Sequence, residues 1–190
     1  MQIKTVGIDL GKTVCDVAAM DGRGRVVLRR RLARVRLVAW LANLPPCLIG
    51  LEASCGAHHL ARRLAGLGHE VRLMPAQYVR PLVKTNKHDA ADAEAICEAV
   101  QRPKMRFVPV KSAAQLDLQA LHRARDRLVT QRTGLINQIR AFLLERGIAL
   151  RPGRLALAKA LPEVLEAADE LSPTMRALLA RLRVHWQAPG

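Results

Sequence analysis

The chain has 190 residues, half of them hydrophobic, and it carries 31 Lys and Arg against 16 Asp and Glu, a formal charge of +15. This size allows one ordinary hydrophobic core with an appendage, and the excess positive charge favours a polyanion such as nucleic acid as partner. Aromatic residues make up only 3%, so base-stacking platforms are not expected, and no apolar run is long enough for a membrane span.

The four cysteines are widely spaced and form no Cys-x-x-Cys pair. They are expected to be reduced residues of a cytoplasmic protein rather than a disulfide framework or a zinc site. The N-terminus lacks the layout of a signal peptide, which favours the same compartment.

Short apolar runs separated by turns occupy the first part of the chain. They predict five strands, at residues 3–10, 14–20, 25–28, 47–52 and 70–74. Helical spacing predicts two helices among the last three strands, at residues 34–43 and 54–67. Three adjacent strands followed by helix, strand, helix and strand indicate an α/β domain with a mixed sheet.

The second part of the chain has a helical pattern. Residues 75–87 contain two prolines and several basic residues and predict a loop, after which residues 88–100 predict a helix. Ser112 with Gln115 fits a capping box that opens a helix reaching toward Gly147. Two short helices are expected within residues 155–187.

Four carboxylates occur where predicted elements begin or end. Asp9 follows the first apolar run, and Glu52 ends the fourth. Asp89 and Asp92 are three residues apart, which places them on one face of the predicted helix. Carboxylates held close together need cations, and hard oxygen donors suit Mg²⁺ or Mn²⁺. A pair of such ions about 4 Å apart is a common arrangement for phosphodiester chemistry.

Each carboxylate also has a simpler explanation. Asp9 could finish a turn, and Glu52 could interact with a helix dipole. Asp89 and Asp92 could be ordinary first-turn carboxylates, so only the joint occurrence of the four residues predicts a metal site. Asp16, in the second strand, is expected to lie too far along the hairpin to be a ligand.

The most basic long segment is residues 102–154, with twelve Lys or Arg against three acidic residues. Apolar residues seven apart in its helix form a seam that Arg125 and Arg132 interrupt, which favours antiparallel pairing or a dimer contact. A solvated helix face is the alternative to a nucleic-acid-facing arm. The residues expected to contact nucleic acid are Lys12, Lys84, Lys87, Arg123, Arg125, Arg127, Arg132 and Arg140.

Three motifs in this order resemble the DEDD transposases of the insertion sequence 110 family, which are related to pilin-gene invertases. They are Gly-Ile-Asp-Leu-Gly-Lys at 7–12, Leu-Glu-Ala-Ser-Cys-Gly at 51–56 and Lys-x-Asp-x-x-Asp-Ala at 87–93. The resemblance covers roughly residues 3–185. It implies a ribonuclease H-like (RuvC-like) mixed sheet with flanking helices, followed by a long basic coiled-coil arm. It also implies that the catalytic, metal-binding tetrad is Asp9, Glu52, Asp89 and Asp92, with Mg²⁺ or Mn²⁺ as cofactor.

The same resemblance implies partners and a division of the chain. DNA would be the substrate, a structured guide RNA would bridge target and donor DNA, and homo-oligomers would form through the helical arm. The expected parts are a RuvC-like domain at 1–110, the arm at 111–150 and a short helical segment at 151–190. Family members continue into a domain that supplies a serine nucleophile, whereas Ser54 and Ser112 here are expected to be helix caps. We therefore expect the N-terminal part of a transposase, unable to complete strand exchange alone.

Three functions compete at this point. The first is an enzyme domain for DNA recombination, with the tetrad binding metal. The second is a catalytically incomplete fragment that binds nucleic acid or inhibits the full-length transposase. The third is an actin-like phosphotransferase, suggested only by the Gly-Ile-Asp-Leu-Gly hairpin and lacking a second phosphate hairpin.

Overall fold

The computed structural model describes residues 2–79, 81 and 89–187, with the backbone alone at 89, 90 and 187. The strands are β1 (Thr5–Leu10), β2 (Val14–Met20), β3 (Val26–Ala33), β4 (Leu48–Glu52) and β5 (Glu70–Met74). The helices are α1 (Arg34–Leu41), α2 (Ala57–Ala65), α3 (Ala76–Val79), α4 (Asp89–Val100), α5 (Ala113–Leu144), α6 (Arg154–Ala167) and α7 (Pro173–Gln187). The chain divides into two compact units, Met1–Leu116 and Asp117–Gly190.

The first unit is built on a five-stranded mixed sheet with the order β3-β2-β1-β4-β5. The central strand β1 pairs antiparallel with β2 and parallel with β4. The predicted hairpin and the predicted mixed α/β sheet are confirmed, and the arrangement is consistent with a ribonuclease H-like domain. The first and fourth strands are neighbours, as that fold requires.

The segment predicted as a loop at 75–87 contains the short helix α3. Two of the boundary differences also bear on predicted residues. β3 continues to Ala33 instead of ending at residue 28, because its pairing with β2 extends beyond the apolar residues on which the prediction depended. α2 begins at Ala57, after Gly56 in the left-handed conformation with φ of 86°, and no side chain caps it. The expected cap role of Ser54 is therefore wrong.

The two faces of the sheet are covered differently. On one face, fully buried Val6 and Ile8 pack in the same core as Leu37 of α1 and Leu64 of α2. On the other face, α4 lies directly on β1 and β4. A Cβ on Gly7 would come within 2.5 Å of the Cys97 backbone nitrogen, so glycine makes this close approach possible.

α4 runs antiparallel to β1. The Ala93 carbonyl lies against Gly7, whereas Nε2 of Gln101 is 3.6 Å from Sδ of Met20. Met20 pairs with Thr5 at the start of β1. The first turn of α4 therefore lies toward the end of β1, where Asp9 is found.

The first residues of α5 belong to the first unit, and the second unit consists of the rest of α5 with α6 and α7. The predicted capping box is present at the start of α5, because the Ser112 N–H donates to Oε1 of Gln115 at 2.9 Å and the Gln115 N–H donates to the Ser112 hydroxyl at 3.2 Å. The C-terminal half of α5 packs with α6 and α7 around a core that includes Ile139, Leu161 and Trp186. Among the described helices, none is both long and apolar enough to cross a lipid bilayer.

Candidate functional site

Asp9 and Glu52 lie side by side at the C-terminal ends of two parallel strands. The β1–β4 register pairs Ile8 with Leu51, so the next residues along the two strands are Asp9 and Glu52. Side chains alternate between the two faces of a sheet along each strand. Both carboxylates therefore lie on the same face as Gly7, which is the face that contacts α4. Both are half-buried.

Asp92 lies in the first turn of α4 and is also half-buried. Because α4 runs antiparallel to β1, this turn lies at the same edge of the sheet as Asp9. The backbone of Asp89 belongs to the same turn, whereas its side chain, like Lys84 and Lys87, lies outside the described residues. The structure thus brings three of the four predicted carboxylates to one edge of the sheet, on one face.

Asp16 lies beside Asp9 on the neighbouring strand. It pairs with Asp9 across the β1–β2 hairpin, so the two side chains lie on the same face. Asp16 lies nearer to Asp9 than expected, because the turn between the strands is short. That Asp16 is not a metal ligand stays a prediction. Arg31 of β3 pairs in turn with Asp16, with 3.9 Å between Nε and Oδ2. A single row, which we call the carboxylate row, therefore crosses the sheet as Arg31, Asp16, Asp9 and Glu52.

The acidic side chains of the carboxylate row offer only oxygen donors. Carboxylate oxygens fit Mg²⁺ or Mn²⁺ and give no preference for softer metals. Within the described part of the chain, no three His, Cys, Asp or Glu side chains are grouped closely enough to hold a metal ion. The donor chemistry therefore fits the predicted cofactor, while the described side chains alone do not form a finished metal cage.

Arg34 connects the turn after Asp9 with the loop after Glu52. Its backbone N–H donates to the Thr13 carbonyl at 2.8 Å, and its Nη1 donates to the Gly11 carbonyl at 2.7 Å. Gly56, in the loop after Glu52, passes so close to the guanidinium that a Cβ there would collide with Nη2. The sequence offered no signal for this role, because it depends on two turns that only the folded sheet brings together.

Three of the four cysteines lie in the core, and Cys55 is exposed. All four are free, and Cys15, Cys47 and Cys97 are buried. Cys97 lies on the side of α4 that faces the sheet, where its thiol donates to the Ala18 carbonyl at 3.2 Å. Burial raises the pKa of this thiol to about 12, so it is a packing residue and not a nucleophile.

The residues predicted to bind nucleic acid have different surroundings. Lys12 is exposed in the β1–β2 turn. Four arginines are exposed along α5, namely Arg123, Arg125, Arg127 and Arg132. Arg140 is half-buried, and its guanidinium donates to the Arg151 carbonyl and, at 2.6 Å, to the Leu150 carbonyl. Through these hydrogen bonds Arg140 links α5 to the loop that precedes α6.

A second basic segment was not predicted. Residues 22–36 contain seven arginines and no acidic residue, and they cover β3 and the start of α1. The sequence does carry a signal for this segment, since arginine is its only charged residue type.

Comparison with known proteins gives one consistent result. A family model described as a transposase, for DEDD transposases of the IS110 type, matches residues 6–147. The transposase for insertion sequence element IS1328 of Yersinia enterocolitica is 45% identical over 184 residues, which are 97% of this chain and 54% of that protein. A probable family 20 transposase of Pseudomonas aeruginosa is 46% identical over 205 residues, or 99% of this chain and 60% of that protein.

A third relative is the transposase for insertion sequence element IS1111A of Coxiella burnetii. It is 41% identical over 178 residues, covering 93% of this chain and 49% of that protein. The chain therefore spans about half to three fifths of the length of these curated relatives. The segment that matches the family model includes all four predicted carboxylates and α5.

Proposed function

Because the chain belongs to the IS110-type family of DEDD transposases, we propose that it forms the metal-dependent, DNA-cleaving part of a transposase. The observation that carries this proposal is the position of Asp9 and Glu52 at adjacent ends of parallel strands. The first turn of α4, with Asp92, lies at the same edge and supports the same conclusion.

The proposed division of labour follows from the geometry. Asp9, Glu52, Asp89 and Asp92 would hold Mg²⁺ or Mn²⁺ at the strand ends. When bound, such ions activate an attacking oxygen and stabilise the leaving oxygen of a phosphodiester. The fold positions the carboxylates: the pairing of two strands fixes Asp9 and Glu52, and the close contact of α4 with the sheet fixes Asp92.

DNA, a structured guide RNA and further copies of the chain are the proposed partners. The formal charge of +15 supports polyanionic partners, and the relatives are named as transposases. In this proposal residues 1–110 are the RuvC-like domain, residues 111–150 are a coiled-coil arm and residues 151–190 are a helical segment beyond it. The exposure of Leu118 (56%), Leu121 (68%) and Leu128 (51%) on α5 supports oligomerisation through the arm.

A second candidate function is nucleic-acid binding without catalysis. It is favoured by the observation that the described side chains include no group of three metal donors. In this role the chain would occupy DNA or RNA, or would enter and inhibit oligomers of the full-length transposase.

A Mn²⁺ titration distinguishes the two functions. We expect Mn²⁺ to bind the wild type, as followed by electron paramagnetic resonance, and to stabilise it by about 2.7 kcal/mol at one hundred times Kd. Asp9→Asn should weaken Mn²⁺ binding at least about tenfold, because it removes a charged ligand from the row. The control is Asp126→Asn, which changes an exposed carboxylate on α5.

Equal Mn²⁺ binding by the wild type, Asp9→Asn and Asp126→Asn would refute the metal site. If the chain then still binds DNA, the second candidate function stands. Loss of Mn²⁺ binding in Asp9→Asn alone, with an unchanged circular dichroism spectrum, would support the first.

A further inference from the structure

The arginine-rich strand β3 lies next to the carboxylate row. Three consecutive residues of this strand, Arg29, Arg30 and Arg31, carry positive charge. β3 pairs with β2, and β2 pairs with the central strand β1, so β3 lies two strands away from Asp9. At the usual strand separation this is about 10 Å.

The three arginines do not share a face. Arg31 pairs with Asp16, and Arg29 pairs with Ala18, so both project on the α4 face with the carboxylate row. Arg29 also donates through Nε to Glu94 of α4. Arg30 projects on the opposite face, where its guanidinium lies 5.9 Å from the centre of the Trp40 ring.

The ion pairs of Arg29 and Arg31 leave much of both side chains accessible. The Arg29 side chain is 59% exposed and the Arg31 side chain is 66% exposed. Exposed ion pairs of this kind contribute little to stability, so a competing anion can redirect the guanidinium groups. The planar fork of arginine is well suited to phosphate oxygens.

We propose that Arg29 and Arg31 form a surface that binds DNA phosphates and guides a DNA strand to the carboxylate row. The inference depends on the proposed function only in its choice of DNA, since it assumes that the row acts on DNA. The shared face, the short distance from Asp9 and the absence of acidic residues in 22–36 all favour it.

Two charge-matched double variants test the proposal. The first is Arg29→Gln with Arg31→Gln, on the α4 face. The control is Arg30→Gln with Arg36→Gln, which removes the same charge from the opposite face and from α1. Fluorescence anisotropy with duplex DNA, in EDTA and over a series of KCl concentrations, gives the affinity and its salt dependence for each.

We expect the first double variant to make the slope of log K against log salt less negative by about 1.8, or about 0.9 for each lost phosphate contact. The control should change the slope by less than half of that amount. Arg31→Gln alone should change it by about 0.9. This single variant leaves the ion pair of Arg29 with Glu94 in place, and an unchanged melting temperature would show that its effect on the slope does not come from weakened folding.

Equal losses in the two double variants would overturn the proposal, because they would reflect net charge and not position. Loss of affinity for a structured RNA with unchanged DNA affinity would overturn it too. The assay contains EDTA, so its result is independent of the Mn²⁺ titration. A failed metal titration with a position-dependent loss of DNA binding would refute the metal site and leave this surface standing.

Discussion

Gly7 and Gly50 contribute to the candidate site through the side chains that they lack. A Cβ on Gly7 would meet backbone atoms of α4, and a Cβ on Gly50 would lie 2.9 Å from Cβ of Val100. Their absence lets α4 contact the sheet beside the strand ends that bear Asp9 and Glu52. These two glycines, which have no functional group, therefore determine how closely α4 approaches the carboxylates.

Gly7→Ala should destabilise the protein by about 1–3 kcal/mol, because the added methyl group meets backbone atoms and not a movable side chain. Gly134→Ala is the matched control, since nothing lies within 4 Å of a Cβ at that position of α5. The control should stabilise the protein by about 0.4–1 kcal/mol. Urea denaturation measures both changes, and a neutral or stabilising Gly7→Ala would contradict the described packing of α4.

His58 should make stability depend on pH. Burial lowers the pKa of its imidazole, and the charges of Lys111 and Arg62 lower the pKa further. The Lys111 N–H donates to Nδ1 at 3.1 Å, which requires that nitrogen to be unprotonated. The unfolded chain, with an ordinary pKa of about 6.5, therefore takes up the proton first, and stability is lost as pH falls below that value.

The measurement is the melting temperature between pH 7.5 and pH 5. We expect the wild type to lose more stability over this range than His58→Gln, whose amide oxygen can still accept the bond from Lys111. Comparing the two proteins removes the contribution of the other histidines. Parallel curves for the wild type and the variant would contradict the assignment.

At the scale of elements, α5 has two different halves. From Leu135 onward its apolar residues pack against α6 and α7. Before that point large apolar residues such as Leu118 and Leu121 are exposed, in a seam interrupted by Arg125 and Arg132. A helix that exposes leucines in register over several turns is typical of a surface that pairs with another helix.

Leu121→Glu should lower the mass of any oligomer in solution, because it places a charge in the middle of the seam. Ala120→Glu adds the same charge to the adjacent face of α5 and should leave the mass unchanged. Multi-angle light scattering at several concentrations measures the effect. Equal masses for the two variants would contradict pairing through the seam.

The strands could be predicted because each is a short apolar run between turns, whereas the position of β4 beside β1 was expected only from the resemblance to a ribonuclease H-like fold. The end of β3 could not be predicted, since Arg29 to Arg31 pair through backbone groups that no side-chain pattern reveals. The position of Asp16 opposite Asp9 could not be predicted, because the hairpin register depends on the turn geometry. The link from Arg34 to Gly11 joins residues far apart in the chain and needs the folded structure.

At the scale of the whole molecule, positive charge is not confined to the helical arm. Residues 1–116 carry 19 Lys and Arg against 9 Asp and Glu, a net charge of +10, and residues 117–190 carry 12 against 7, a net charge of +5. Both units are therefore suited to contact phosphates.

Affinity for duplex DNA should fall steeply with salt and should depend on the exposed face of α5. Replacing Arg123, Arg125 and Arg127 with Gln should make the slope of log K against log salt less negative by about 2.7. The control replaces Lys159, Arg181 and Arg183 with Gln, which removes the same charge from α6 and α7. Isothermal titration at several KCl concentrations gives the slope, and a slope near zero for the wild type would exclude phosphate contacts.

The outermost position of β3 has a further consequence. One side of this strand bonds to β2, and the described residues place no strand on its other side. Such an open ladder of N–H and C=O groups invites a foreign strand to add to it, and charged side chains are a common protection against aggregation. The run from Arg29 to Arg31 would therefore also protect the chain from aggregation when no polyanion is bound. Variants that neutralise these residues should be kept at low concentration and tested for fibre formation with thioflavin T.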